Sequence, residues 1–222
     1  MSDQTPTQSL KDLLCERSLA GFESQVAVSE VVLDAGGWQL HDDGMLDLGE
    51  YRLQSQFLGS WAEGGWRWAN EEASLPNALV ALVADLRADL ALKMIPEASM
   101  ASFACDEAEA WLTAWALTGL EQDSKAFVFT LPAGDATAFL AVDAGPLADV
   151  RRPETSERLL QMFCEMMPAP HRPFIEGWAA VRGFNTKVSE HAVDIVLPDR
   201  SCRVVFDDDS KLVQLRTISA KA

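Results

Sequence analysis

The sequence predicts an α+β fold in which antiparallel β-meanders pack against helices. Three observations carry that expectation. Apolar residues recur at helical spacing in some stretches and alternate with period two in others, and a helix followed by a meander occurs at both ends of the 222-residue chain. Turn signals such as Asp42-Asp43-Gly44 and Glu63-Gly64-Gly65 separate short strand-like runs, as tight hairpins require. Helices and strands also come in groups rather than in strict βαβ alternation, which argues against a parallel sheet.

The first element is one long amphipathic helix from Ser9 to about Leu33. Leu10, Leu13, Leu14, Leu19, Phe22, Val26 and Val28 recur at roughly helical spacing, and Gly36-Gly37 stops the run. Gly21, inside it, marks a kink or a close-packing point. A β-meander follows: Trp38 to Leu40, the turn at Asp42-Asp43-Gly44, then Met45 to Leu48. Tyr51 to Trp61 forms the longest strand, and alternation predicts Tyr51, Leu53, Phe57 and Trp61 on one face. Glu63-Gly64-Gly65 closes a hairpin that returns through Trp66-Arg67-Trp68.

Two helices come next. One opens at Ser74 with Pro76 in its first turn and runs through Leu79, Leu82, Val83, Leu86, Leu90 and Met94 to Pro96. The other opens with Asp106 and Glu109 in capping-box spacing and ends near Gly119. Ala126 to Leu131 and Ala138 to Val142 then form a hairpin about Pro132-Ala133-Gly134-Asp135. Those strands are almost continuously apolar, so both faces should be covered. The segment from Ala144 to Pro153 is the best linker candidate. Beyond it lie a helix from about Ser156 to Met167, the break Pro168-Ala169-Pro170, and a helix from about Pro173 to Arg182. Strands at Lys187–Leu197, Ser201–Phe206 and Leu212–Ile218 complete the chain. Residues 1–148 thus read as an acidic α+β domain, and residues 149–222 as a smaller helix–helix–meander unit, separate or packed into the same domain. No residue-level match relates the two helix–meander units.

At this length the chain is long enough to bury about 70% of its unfolded surface. An apolar fraction of 48% with 23% charged residues belongs to a globular protein, not a disordered one. No apolar run approaches the roughly 20 residues that span a bilayer, so no membrane association is expected. Residues 1–8 form a polar leader without the basic and apolar regions of a signal peptide, and a cytoplasmic location is expected. The net charge of −16 is uneven: residues 1–150 hold 7 Lys/Arg against 24 Asp/Glu, a balance of −17, whereas residues 151–222 hold 11 against 10, a balance of +1. An acidic field repels phosphate backbones, which argues against nucleic acid, and attracts basic partners. It is also simply a means of staying soluble. The cysteines Cys15, Cys105, Cys164 and Cys202 are isolated, and the histidines His41, His171 and His191 lack metal-ligand spacing. No metal site, disulfide framework or cofactor is expected.

The densest chemistry lies in Leu58 to Asn70, which holds three of the seven tryptophans. Trp66 and Trp68 point to one face of a strand, Arg67 to the other, and Trp61 lies across the hairpin. Such a stripe reads first as a core cluster; its functional reading is the wall of a ligand or partner pocket. Trp61, Trp66, Arg67, Trp68 and Asn70 are therefore the candidate binding residues. Ser60 lacks the frame of a nucleophile elbow. The segment His41-Asp42-Asp43-Gly44 is a hairpin turn before it is an acid–base group, and Asp207-Asp208-Asp209 lacks the alternating ligands of a calcium loop. His171 and Arg172 sit in a rigid, exposed-looking Pro-rich connection where either could meet a ligand. No residues are assigned a catalytic role, and an enzyme is the less favoured class.

Leu58-Gly59-Ser60-Trp61 and Trp66-Arg67-Trp68-Ala69-Asn70, followed by Leu75-Pro76 and a helix, resemble an uncharacterised bacterial domain family over residues 10–145. That family carries a Leu-Gly-Ser stretch, a Trp-x-Trp-Ala-Asn stretch and a proline-introduced helix. The resemblance implies a bacterial origin and a shared fold, and it implies no activity. Two functions remain in competition. One is a non-catalytic protein-binding module, toxin-neutralising or regulatory, that engages a basic protein partner through its acidic part. The other is a small-molecule-binding protein or enzyme with a pocket walled by Trp61, Trp66 and Trp68.

Overall fold

In the computed structural model, which describes residues 8–72, 74–120, 125–149, 155–168, 170–198 and 200–218, the chain is α+β and every strand pairing is antiparallel. The first helix, α1 (Leu10–Asp34), starts where the sequence predicts, because Ser9 and Asp12 close a capping box: the Asp12 amide donates to Ser9 Oγ and the Ser9 amide donates to Asp12 Oδ2. The Ser9 hydroxyl also donates to Asp12 Oδ2 at 2.7 Å, and this bond first, with that from the Ser9 amide second, holds the Asp12 carboxyl below its ordinary range. Seven strands then build one curled sheet: β1 (Trp38–Leu40), β2 (Met45–Leu48), β3 (Tyr51–Ala62), β4 (Gly65–Trp68), β5 (Ser102–Ala104), β6 (Ala126–Ala133) and β7 (Ala136–Asp143). The order is β1-β2-β3-β4-β5, with β7 on β3 and β6 on β7. The helices α2 (Asn77–Leu92) and α3 (Glu107–Thr118) flank β5. After them come α4 (Ser156–Met166), α5 (Arg172–Val181) and a second sheet of β8 (Asn185–Val188), β9 (Ala192–Val196), β10 (Ser201–Phe206) and β11 (Leu212–Ile218).

The pattern of β3 breaks in its middle. Phe57 pairs with Leu140 and Gly59 with Phe139, so Leu58 is an extra residue, a β-bulge. An inserted residue inverts the alternation beyond it. Leu53 and Phe57 therefore share one face of the sheet, in the smaller core with Leu46, Leu48, Phe127 and Val142, and Trp38 meets Phe129 edge-on at 5.6 Å. Trp61, expected on the same face, lies on the opposite one with Gly59, and packs with Trp66 and Phe139 into the larger core. The open edge of β6 is covered by α1, whose Gln25 Oε1 accepts a hydrogen bond from the Val128 amide at 2.9 Å.

The larger core joins both parts of the chain. It contains Leu13, Leu14 and Phe22 of α1, Trp115 of α3, Phe163 of α4, Trp178 of α5, and Ile195 and Val204 of the second sheet. Two glycines let the helices approach this closely. A Cβ on Gly21 would lie 1.9 Å from the Trp115 carbonyl oxygen, and one on Gly177 would lie 2.4 Å from that of Cys15. Gly21 is thus a close-packing point, not a kink, and α1 runs through it unbroken. Glu23 Oε2 links the same layers by accepting from Trp178 Nε1 at 3.2 Å and Arg182 Nη2 at 2.6 Å.

Several boundaries differ from expectation. Pro76 is extended, with φ −59° and ψ 140°, so α2 starts at Asn77 rather than Ser74; Met94 has φ 61°, which ends the helix at Leu92. The run Lys187–Leu197 is two strands joined by a turn, in which the Ser189 amide donates to the Ala192 carbonyl at 2.8 Å. Residues 1–7 of the expected leader, 150–153 of the expected linker and Ala169 lie outside the described residues.

Candidate functional site

Gly59 determines where the tryptophans go. A Cβ there would stand 2.4 Å from the Trp66 ring, so its absence lets that indole lie across β3 toward Phe139, with ring centroids 5.3 Å apart. Trp68 meets Trp66 edge-on at 5.9 Å, and Phe103 of β5 completes the cluster. Trp66 and Trp68 are both 0% exposed. Trp68 Nε1 donates to the Glu97 carbonyl at 3.1 Å, and Trp61, half-buried, donates through Nε1 to the Cys105 carbonyl at 3.1 Å. Arg67 is exposed on the other face of β4 and pairs with Glu72 at 3.0 Å. Asn70 is exposed in a single 3₁₀ turn, where its Oδ1 accepts from Arg87 Nη1 at 2.7 Å. The structure therefore brings Trp61, Trp66 and Trp68 together and leaves Arg67 outside their cluster.

Arg87, from α2, organises this end of the molecule. Its Nε donates to the Ala98 carbonyl at 2.9 Å and its Nη2 to that of Met100 at 3.0 Å; Nη1 also meets the Glu71 carboxylate, and the guanidinium lies over Trp68 at 5.4 Å. These bonds fix the segment from Glu97 to Met100 against the indoles. That segment, with β5 behind it, forms one wall of a cleft of about 600 Å³. The other walls are the first turns of α1 and α3 and the start of α5. Leu10, Leu14, Met100, Phe103, Leu112 and Phe174 give it an apolar lining, while Lys11, Glu97, Glu109 and Thr113 supply polar groups. The five candidate residues read from the sequence line neither this cleft nor the two smaller ones of about 340 and 270 Å³.

The electrostatics of the cleft are lopsided. Two glutamates and one lysine are among the residues that line an otherwise largely apolar space. Glu109 keeps its capping role, its Oε2 accepting from the Asp106 amide at 3.1 Å. Glu97 is different: its Oε2 is out of contact with solvent and finds no hydrogen-bond donor among the described residues. A buried acceptor left without a partner costs about 1–3 kcal/mol, more when charged. The thiols at the cleft bring no charge. Burial first, and then the charge of Glu109, push Cys105 up to about 11, and burial likewise raises Cys15. Both remain protonated near neutral pH and are weak nucleophiles. The arrangement can hold an apolar group with a polar end.

The remaining polar candidates are tied into the fold. His171 is buried, not exposed as its Pro-rich setting suggests; its Nδ1 accepts from the Leu212 amide at 3.0 Å, which makes Nε2 the donor to the Met167 carbonyl at 2.8 Å. Arg172 donates to the Ser189 and Glu190 carbonyls and so pins the β8–β9 turn. Asp43 Oδ1 accepts from the Met45 amide in the first hairpin turn, and Asp207 Oδ1 accepts from the Asp209 and Lys211 amides in the last. Among the described residues, no three His, Cys, Asp or Glu side chains are placed to hold a metal ion. Glu97 and Phe103 gave no signal in the sequence because the walls come from separate segments; only Glu109 stood out, as a helix cap. Compared with known proteins, the chain matches no family model, no curated protein and no solved structure.

Proposed function

We propose that the protein is a non-catalytic binding module, cytoplasmic and toxin-neutralising or regulatory, that engages a basic protein partner and takes one of its side chains into the cleft between α1, β5, α3 and α5. The observation that carries this reading is the cleft itself: about 600 Å³ of largely apolar space with a few placed polar groups, the composition of a binding site. The balance of −17 over residues 1–150, which contribute most of its lining, supports a cationic partner and fast encounter with it. No helix among the described residues is long and apolar enough to cross a membrane. The bacterial origin suggested by residues 58–70 belongs to the same proposal.

Ala104 provides the test. It lines the cleft yet is exposed on the short edge strand β5, so Ala104→Trp blocks the mouth without entering the core. Tagged wild-type and Ala104→Trp proteins are used to capture partners from the native lysate at 50 mM and 500 mM salt, on the order of a threefold change in Debye length. The proposal expects a protein held by the wild type at low salt, released at high salt and absent from the variant. Recovery of no partner, or of one indifferent to both salt and Ala104→Trp, overturns it.

A further inference from the structure

We propose that the protein pairs with a second copy of itself through the open edge of β11, two antiparallel β11 strands meeting on a two-fold axis at Leu215. Every other sheet edge among the described residues is short or covered: β1 and β5 have three residues each, β8 has four, and α1 lies along β6, where Gln25 bonds the Val128 amide. By contrast, β11 has seven residues, no proline and a single charge, Arg216, so it lacks most of the devices that keep edges apart. Its hydrogen bonds leave the edge available. The Leu197 amide donates to the Arg200 carbonyl and the Phe206 amide to that of His191, so Cys202, Val204 and Phe206 are the β10 residues bonded toward β9. Ladder bonds alternate in antiparallel pairs, so Arg203 and Val205 bond across to Arg216 and Gln214, and the backbone groups of Leu215 and Thr217 point away from the sheet. Among the described residues nothing bonds those groups. The neighbouring α4 meets β11 on its core face, where the Thr217 hydroxyl donates to Glu157 Oε1 at 3.0 Å.

A backbone edge alone accepts any extended strand; the self-matching of β11 selects a second copy. Leu215 is the midpoint of the strand and packs at the margin of the larger core, so meeting its own copy carries that apolar layer across the axis. Thr217 then lies opposite Val213, and Arg216 opposite Gln214, whose side-chain oxygen accepts from it. Within one copy Arg216 stands opposite Arg203, an unfavourable pairing, and Arg203 already holds Asp194 at 2.6 and 2.7 Å. A two-fold axis at Arg216 would place two guanidiniums face to face. Charge selects the same end of the molecule: chains of −16 repel, but residues 151–222 carry only +1, so copies meet here with least repulsion. An isologous contact of this kind closes as a dimer.

Sedimentation equilibrium of the full chain between about 1 μM and 200 μM is the test. The expected result is a reversible monomer–dimer equilibrium within that range, with amide exchange at Leu215 and Thr217 slowed about tenfold at its upper end. Thr217→Pro removes an edge-facing amide and no ladder bond to β10, a position where a strand tolerates proline, so it should stay monomeric with unchanged circular dichroism. Gln214→Glu should tighten the dimer about fivefold, by setting two opposite-charge pairs across the axis, and Gln214→Lys should weaken it by about the same factor. These two surface variants keep the test decisive if Thr217→Pro does not fold. A chain that is monomeric at every concentration overturns the proposal and leaves the edge to an extended segment of another protein. So does a dimer whose affinity is indifferent to Thr217→Pro, or to both Gln214 variants.

Discussion

At the scale of single residues, burial keeps the thiols of the protein neutral. Cys202 is fully buried, and burial pushes its thiol up to about 11, with Glu157 and Asp194 adding to the shift; Cys105 stands at about 11 and Cys164 at about 12, again by burial first. An unfolded thiol titrates near 9. Between that value and the folded ones, the native state holds protons that the unfolded state has lost, so stability is intact below pH 9 and falls as pH rises toward 11–12. The urea midpoint should therefore be flat from pH 7 to 8 and decline from pH 9 to 10, and Cys202→Ala should decline less steeply. Iodoacetamide at pH 8.5 should label the native thiols far more slowly than the unfolded ones; equal rates would contradict the burial argument. Some of this residue-level picture was legible beforehand. The common face of Trp66 and Trp68 follows from strand geometry alone. Their burial does not, because a two-residue period says nothing about which face is covered. Glu97 was invisible for another reason: its interest lies in a missing donor, and only three-dimensional neighbours define what is missing.

At the scale of elements, the tightest constraint is the crossing of α1 with α5. Gly177 has no room for a side chain, because a Cβ would meet the Cys15 carbonyl oxygen at 2.4 Å and the Glu16 Cα at 2.6 Å, both rigid backbone atoms. Gly177→Ala must push the helices apart, and overpacking of this kind costs about 1–3 kcal/mol. In a helix, alanine's better propensity offsets at most about 1 kcal/mol of that. The urea midpoint should fall for Gly177→Ala and stay unchanged for Gly37→Ala, where nothing lies within 4 Å and φ is not positive; a Gly177→Ala variant as stable as wild type would refute the close crossing. The helices themselves were readable: apolar spacing gave the first, and the Asp106–Glu109 capping box marked another start to the residue. The bulge at Leu58 was not. Phe57 and Leu58 are both apolar and each finds a core, one on either face of the sheet, so hydrophobicity leaves no mark of the inversion that carries Trp61 across. Strand β5 escaped because three residues hold too little pattern to read, and its partner β4 lies 37 positions away in the Trp66–Phe103 pairing, across the intervening α2.

At the scale of the whole molecule, the question is how residues 1–148 and 149–222 depend on each other. The change in charge balance near residue 150 suggests a division, but the core does not stop there. Phe22 packs against Trp115 at 4.9 Å and against Phe163 at 5.5 Å, so one side chain of α1 is buried by helices from both parts. Trp178 and Arg182 bond Glu23 across the same boundary, and Gly177 seats α5 on α1. Removing residues 149–222 would expose the Leu13, Phe22 and Trp115 surfaces and leave Glu23 without the partners from α5. A fully buried side chain of this size contributes about 1.5–3 kcal/mol, and a domain of ordinary stability holds only about 5–15 kcal/mol in total. Losing several such contacts at once consumes most of that margin. The full chain should accordingly unfold in one transition, with tryptophan fluorescence and far-ultraviolet circular dichroism coinciding. A fragment of residues 1–148 should show a broad, non-cooperative transition and bind a hydrophobic dye in the absence of denaturant. A fragment that unfolds sharply with wild-type fluorescence would establish residues 1–148 as a domain in its own right. The cleft, one wall of which is the start of α5, would then be the product of two domains docking, and it should be lost in the fragment while the fold survives.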